Sequence, residues 1–387
     1  MSIENIRKEH ELVDLFCTLA EIPSPSLKEE NVANWIIDYC SKNNIPAKLD
    51  DYGNVRIDIP ANDSSKDPLL LSAHMDVIGD DAPVKTYLDD KGLIHAEGRT
   101  LGADDKAGVA NALLLAKEVA NSDISHGGLE CIFTRDEESG MSGVKHVDFK
   151  SIKSKYLLVC DSDTLGQLEV AGAGYTIVKI DLKSHKGGHS GIDIGDKTRA
   201  NAGKYIAELI ARLPQGIFYE EDGMVVTSCN LGGIKAGDIK VTNIINPEAS
   251  VSYSIRSSSS QKEAELQEIM KNTVESFGKE FADLLTVSIT FEEHVPPFEK
   301  VNDEYVPILF EASAKKVGVE PDITSFHAAA ETHIYANQTN SKGEKFIPYL
   351  VGLATVCNMH TKDEYLDYKT ILKGHEVLRE FFKAYNS

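Results

Sequence analysis

Four apolar runs in this 387-residue chain end in residues that bind hard or borderline metal ions. Residues 69–73 lead into His74-Met75-Asp76, and residues 129–134 into Arg135-Asp136-Glu137-Glu138. Residues 156–160 lead into Asp161-Ser162-Asp163, and the run 346–356 is followed by His360. A further acid, Asp104, stands in Gly102-Ala103-Asp104-Asp105-Lys106-Ala107-Gly108, at the start of an expected helix. Histidine nitrogen with carboxylate oxygen suits Zn²⁺, with Mn²⁺ or Co²⁺ as alternatives. Five such ligands hold two ions if one carboxylate bridges them, and ions about 3.5–4 Å apart can share a water and lower its pKa. A free carboxylate beside them can take that water's proton. The Glu137-Glu138 pair offers one ligand and one base. Each piece has a plainer reading: a common H-x-D, a solvated Glu-Glu face, acids favouring a helix N-terminus, a turn aspartate, a core histidine. Their joint occurrence at strand ends and a helix start favours a two-metal hydrolase.

The elements that must position these groups alternate. Ser26 and Glu29 have the spacing of a capping box, followed by helical spacing from Val32 to Cys40. Strands are expected at 55–59, 69–73, 129–134 and 156–160, with a helix at 106–121. Alternation of this kind predicts an α/β domain with a mostly parallel sheet, whose ligands gather outside the carboxyl ends of the strands. The pattern then changes. Strands at 175–182, 224–231, 250–256 and 285–291 and helices at 198–213 and 261–279 give the order β-α-β-β-α-β, a ferredoxin-like α+β unit. From residue 296 helix and strand resume, with a helix at 303–317, a core strand at 346–356 and a terminal helix at 368–385. The expected organisation is a discontinuous catalytic domain, 1–171 and 295–387, interrupted by an insertion at 172–294.

Composition bounds the partners. Forty Lys+Arg against 61 Asp+Glu leave a formal charge of −21, and phosphate contact needs clustered Lys/Arg, so a nucleic-acid surface is not expected. No apolar stretch approaches the roughly 18–20 residues that span a bilayer. The charged start shows no apolar signal region, so a cytoplasmic protein is expected. Six cysteines are scattered singly, which suggests buried thiols and no disulfide framework.

With these motifs in view the chain resembles the M20 family of metallopeptidases. "SAHMDV", "TLGADDKAG", "FTRDEESGMSG", "CDSD" and "NMHTKDE" follow the family's order along the whole chain. The resemblance implies a zinc-exopeptidase-like catalytic domain interrupted by a lid, or dimerisation, domain, and a homodimer formed through it. It implies that His74 and Asp161 hold one ion, Glu138 and His360 the other, and that Asp104 bridges them. Glu137 would be the general base and Asp76 would orient the His74 region; Asp105 receives no role. "HKGGHSGIDIG" resembles the segment whose last histidine, here His189, reaches the partner subunit's site and polarises the scissile carbonyl. "VTNIINPEA" and "YSIRSSSS" imply substrate contacts by Asn243 and by Arg256, the latter on a carboxylate.

An aspartate at 161, where carboxypeptidases and aminoacylases of the family carry glutamate, resembles its aminopeptidases and dipeptidases. "TLGADDKAG" and the length are similar to the peptidase T branch of tripeptide aminopeptidases, and "KGGHSGIDIG" to Xaa-His dipeptidases. The family's glycine-containing substrate segment is here His327-Ala328-Ala329-Ala330-Glu331. Glu331 matches the acidic substrate-binding position, while the alanine methyls imply a narrowed pocket or altered substrate choice. The expected activity is metal-dependent aminopeptidase action on di- or tripeptides. The alternative on the same scaffold is a carboxypeptidase or N-acyl amino acid amidohydrolase. Two divalent ions would take the formal charge from −21 to −17.

Overall fold

The computed structural model describes residues 2–387. The chain divides into two compact units. One holds the described residues up to Ala171 together with Lys300–Ser325 and Ala330–Ser387; the other holds Gly172–Glu299 and Phe326–Ala329.

The first unit is built on an eight-stranded sheet. Its spatial order is Ala47–Leu49, Val55–Ile59, Leu129–Thr134, Leu69–His74, Tyr156–Val159, Ile347–Val351, Gln167–Gly172 and Asp322–Phe326. The central four strands run parallel, with His74 opposite Thr134, Leu71 opposite Leu158 and Ile347 opposite Tyr156. Every residue of Leu69–His74 and Leu129–Thr134 is buried, as expected of strands covered on both faces. Helix Ala103–Ala120 packs on Leu69–His74. This register brings His74, the turn after Thr134 and the segment after Val159 to one edge of the sheet. The α/β class with a mainly parallel centre and antiparallel flanks agrees with the sequence reading.

Three local expectations are corrected. The run 346–356 is not one strand: Ile347–Val351 ends at Gly352, and Val356–Cys357 joins a separate four-stranded sheet with Thr86–Leu88, Leu93–Ala96 and Tyr365–Asp367. At Gly352 the chain runs against the Thr164 carbonyl, 1.8 Å from where a Cβ would stand, so only glycine fits where the strand ends. The helix expected at 106–121 starts three residues earlier and so includes Asp104. The Ser26–Glu29 capping box is absent. The helix begins at Glu30 with no side-chain cap, because both residues serve tertiary partners: Ser26 Oγ donates to Asp76 Oδ2 at 2.7 Å, and Glu29 takes Arg135.

The second unit is a five-stranded antiparallel sheet in the order Gly216–Glu221, Met224–Lys235, Glu248–Ser257, Gly174–Ser184 and Leu285–Val295. Without its first edge strand this is the β-α-β-β-α-β arrangement read from the sequence. Helices Ala202–Ile210 and Ser260–Glu280 supply Ile206, Leu209, Leu266, Met270, Val274 and Phe277 to a core with Val178, Ile180, Val251 and Ile255. Alternation along Gly174–Ser184 explains this: its even-numbered residues are buried and none of the others is.

Candidate metal centre

His74 is the last residue of a fully buried strand, and its side chain is 2 % exposed. Nε2 lies 2.9 Å from Asp104 Oδ1 and 3.6 Å from Asp161 Oδ1. On its other side Nδ1 donates to the Asp76 carbonyl at 3.0 Å and lies 3.4 Å from Asp76 Oδ1. A ring nitrogen tied to a carbonyl or carboxylate while the other faces ligand oxygens is the usual setting of a metal-binding histidine.

Asp104 sits in the first turn of helix Ala103–Ala120, where the backbone departs from helical geometry and the Asp104–Asp105 peptide is cis. Its second oxygen, Oδ2, accepts from His360 Nε2 at 3.0 Å. One carboxylate thus turns an oxygen to each of two histidines 286 residues apart in sequence. His360 Nε2 also lies 3.1 Å from Glu138 Oε1. That oxygen is buried and makes no hydrogen bond, being poorly aligned with its neighbour.

The turn carrying Glu137 and Glu138 is fixed from below. Glu29, fully buried, accepts from Arg135 Nε at 2.7 Å and from the Asp136 N–H at 3.1 Å. Asp76 accepts the N–H of Glu137 at 2.9 Å through Oδ1 and that of Glu138 at 3.2 Å through Oδ2. Sequence reasoning missed Glu29. Only its pairing with Arg135 across the fold reveals it.

The electrostatics are those of a cation site. Burial, then the Asp104 charge, raises Glu138 to about 7, and burial with the same neighbour raises Asp161 to about 7. Burial also holds Glu137 well above the carboxylate range, with Asp161 and Glu331 adding to it. His360 is raised to about 9 by its bond to Asp104. Burial works against protonation of His74, but Asp161 and Asp104 outweigh it and hold the ring well above its ordinary value. Crowded acids that resist ionisation, and an unbonded buried Glu138 oxygen, are what a divalent ion relieves. Two triads fit such ions: His74, Asp104 and Glu138, and His74, Asp105 and Asp161, the candidate ligand atoms of each within 4.8 Å of one another.

Asp105, given no role from sequence, is therefore in the cluster. Its two oxygens already accept the N–H of His74 at 3.3 Å and of Gly108 at 3.0 Å. Glu331, matched from sequence to the acidic substrate-binding position, lies on the first unit. It is 1 % exposed, and Ser72 Oγ donates to it at 3.2 Å; burial raises it to about 7. The other expected substrate residues lie on the second unit. His189 is exposed, and its Nδ1 accepts from the N–H groups of Gly191 and Ile192 at 3.1 and 3.2 Å. Asn243 is its neighbour across the chain, the Ser190 N–H donating to the Asn243 carbonyl at 2.9 Å. Arg256 lies over the Tyr175 ring, 4.3 Å from its centroid. Among the described residues no helix is long and apolar enough to cross a membrane.

Comparison with known proteins agrees with this chemistry. Residues 70–384 match the model of peptidase family M20/M25/M40. The cytosol non-specific dipeptidase of Escherichia coli is 30% identical over 232 residues, which cover 52% of this chain and 46% of that protein, under half its length. Peptidase T of Listeria welshimeri is 25% identical over 394 residues, 99% of this chain and 89% of that one. Among solved structures, aminopeptidase PepT from Bacillus cereus superposes with a TM-score of 0.85 at 24% identity, covering 97% of this chain and 98% of the other. With the family model spanning most of its length and a candidate centre for two metal ions in its first unit, the chain belongs to peptidase family M20/M25/M40 and is a metallopeptidase.

Proposed function

We propose that this chain is an aminopeptidase that hydrolyses short peptides, di- or tripeptides, at a pair of divalent ions. Zn²⁺ is favoured by the donor set, with Mn²⁺ or Co²⁺ as alternatives. The observation that carries the reading is Asp104, with one oxygen 2.9 Å from His74 and the other 3.0 Å from His360. His74 and Asp161 would hold one ion, Glu138 and His360 the other, and Asp104 both. Asp105 would support His74 from behind, since its oxygens are engaged by backbone N–H groups. The ions, when bound, would supply Lewis-acid activation of water and charge for the developing oxyanion.

Glu137 is then the group free to move protons. Its backbone is pinned by Asp76, and its carboxyl, held above the ordinary range by burial, is suited to take a proton from the attacking water and return it to the leaving amine. We place His189 as the carbonyl-polarising group, Asn243 as a substrate contact, and Arg256 on the substrate's carboxylate. The unit Gly172–Glu299 corresponds to the lid and dimerisation domain, and the working form is a homodimer. The names of the relatives support short peptides as substrates, and that of the cytosol dipeptidase supports a cytoplasmic setting.

A screen of metal-reconstituted protein against free and N-acylated di- and tripeptides tests the reading. Release of the N-terminal residue from free-amine peptides is expected. Turnover of the N-acylated set alone would assign the amidohydrolase alternative, and absence of bound metal after reconstitution with Zn²⁺ or Co²⁺ would overturn the mechanism.

A further inference from the structure

Four residues beyond His360 lies Glu364, whose side chain is completely buried. Among the described residues its carboxylate forms no ion pair. Instead Oε2 accepts the N–H of Leu101 at 2.8 Å and of Gly102 at 2.9 Å, and Oε1 that of Ala103 at 2.8 Å and of Asp104 at 3.4 Å. The Thr100 hydroxyl also donates to Oε2. A buried carboxylate is costly unless its lone pairs are satisfied. Here a run of backbone donors at the start of helix Ala103–Ala120 satisfies them, where the helix dipole favours negative charge. The chain is shaped for this approach. Gly102 has φ +72°, and a Cβ there would stand 2.6 Å from Val77 Cγ1.

The consequence reaches the metal centre from both sides. The segment bound by Glu364 ends in Asp104, and the loop that carries Glu364 also carries His360. That loop is tied internally: Thr361 Oγ1 donates to the Asn358 carbonyl at 2.7 Å, Asn358 Nδ2 to the Asp363 carbonyl at 3.2 Å, and the Glu364 N–H to the Thr361 carbonyl at 3.3 Å. His360 itself is 49 % exposed. It lacks the strand that fixes His74, so its distance from Asp104 depends on what anchors its loop.

We propose that Glu364 is a positioning residue that holds His360 and Asp104 at ligand distance and so sets the affinity of the ion that His360 helps to bind. The inference rests on the two-ion reading given above. It predicts an unequal effect: both ions share Asp104, but only one also depends on His360, while the other keeps His74 on its buried strand, so the ion held by Glu138 and His360 should weaken more.

The test is calorimetric titration of metal-free protein with Zn²⁺, for the natural chain, Glu364→Gln and Thr100→Val. The natural chain is expected to bind two ions. In Glu364→Gln one binding step should weaken by about 10–100-fold, as for loss of a group that orients a metal ligand, and the other by clearly less. Thr100→Val removes one donor to the same carboxylate and should shift the same step in the same direction by less. Both steps unchanged in Glu364→Gln, or both weakened equally with a matching loss of thermal stability, would overturn the proposal. If Glu364→Gln fails to fold, Thr100→Val decides: an unchanged weaker step overturns it. Failure of the natural chain to bind two ions would instead overturn the two-ion reading itself.

Discussion

The Asp76 carboxylate accepts the backbone N–H of Glu137 at 2.9 Å through the same oxygen that lies 3.4 Å from His74 Nδ1. One buried anion therefore sets the orientation of a proposed metal ligand and the placement of the proposed base. Burial opposes its ionisation, but the His74 ring, Ser26 and the Glu137 N–H hold it down to about 2. Replacing it should disturb metal and chemistry together. Asp76→Ala is expected to lower metal affinity by about 10–100-fold and to lower kcat even when metal is restored by excess. Competition with a chelator measures the first effect, and turnover at saturating metal the second. Full recovery of kcat at high metal would leave Asp76 with the histidine alone.

Glu137→Gln separates the base from the ligands. The amide keeps the shape of the side chain and the backbone bond to Asp76, and Glu137 is not among the proposed ligands. Metal content should stay at two ions per chain while kcat falls by about 10²–10⁴-fold, the usual size of a general-base contribution. Near-normal turnover with metal bound would remove Glu137 from the mechanism. Joint loss of metal and activity would make it a ligand.

The centre was legible in the sequence because its parts lie at the ends of apolar runs, where a parallel sheet must present them. His74, Glu138 and Asp161 follow from that rule, and Asp104 from the helix start beside it. Glu29 and Asp105 were not legible, because each acts through a partner distant in sequence or through backbone N–H groups that sequence does not display. Ser26 and Glu29 carried a local helix signal that tertiary hydrogen bonds to Asp76 and Arg135 overrode. The four-stranded sheet was missed for a different reason. Its strands are two to four residues long, too short for alternation to register.

Metal removal should give the protein an unusual dependence on pH. Without ions, Glu138 and Asp161 are each raised to about 7, chiefly by burial, and His360 to about 9 by its bond to Asp104. A group whose folded pKa is raised contributes stability that is present below its unfolded pKa and lost as pH climbs through the folded one. The two acids therefore cost stability between about pH 4 and 7, and His360 between about 6.5 and 9. Both act in the same direction. Asp76, held down to about 2, acts oppositely and only below about pH 4. Lys106, pushed down to about 7 by burial, also acts oppositely above that pH, so the metal-free Tm should fall from pH 5 to pH 7. Bound ions prefer the deprotonated ligands and stabilise by about 2.7 kcal/mol each at a hundredfold excess over Kd. Melting curves with chelator and with Zn²⁺ at pH 5, 7 and 9 should therefore separate progressively. A constant separation would exclude these groups as the linked ones.

Arg256 gives the sharpest test of substrate polarity. Its guanidinium lies over Tyr175 and, among the described residues, forms no ion pair with an acid, which leaves its planar fork available for a carboxylate. Arg256→Lys keeps the charge but loses the two-pronged geometry. Loss of one charge-assisted hydrogen bond, worth about 1.5–3 kcal/mol, should raise KM for a tripeptide by roughly ten- to a hundredfold, with a smaller change in kcat. The same variant assayed on the tripeptide amide separates recognition from structure. If Arg256 binds the terminal carboxylate, the natural chain should already handle the amide poorly, and the substitution should add little. An equal KM penalty on acid and amide would mean that Arg256 supports the sheet and does not contact the substrate's terminus.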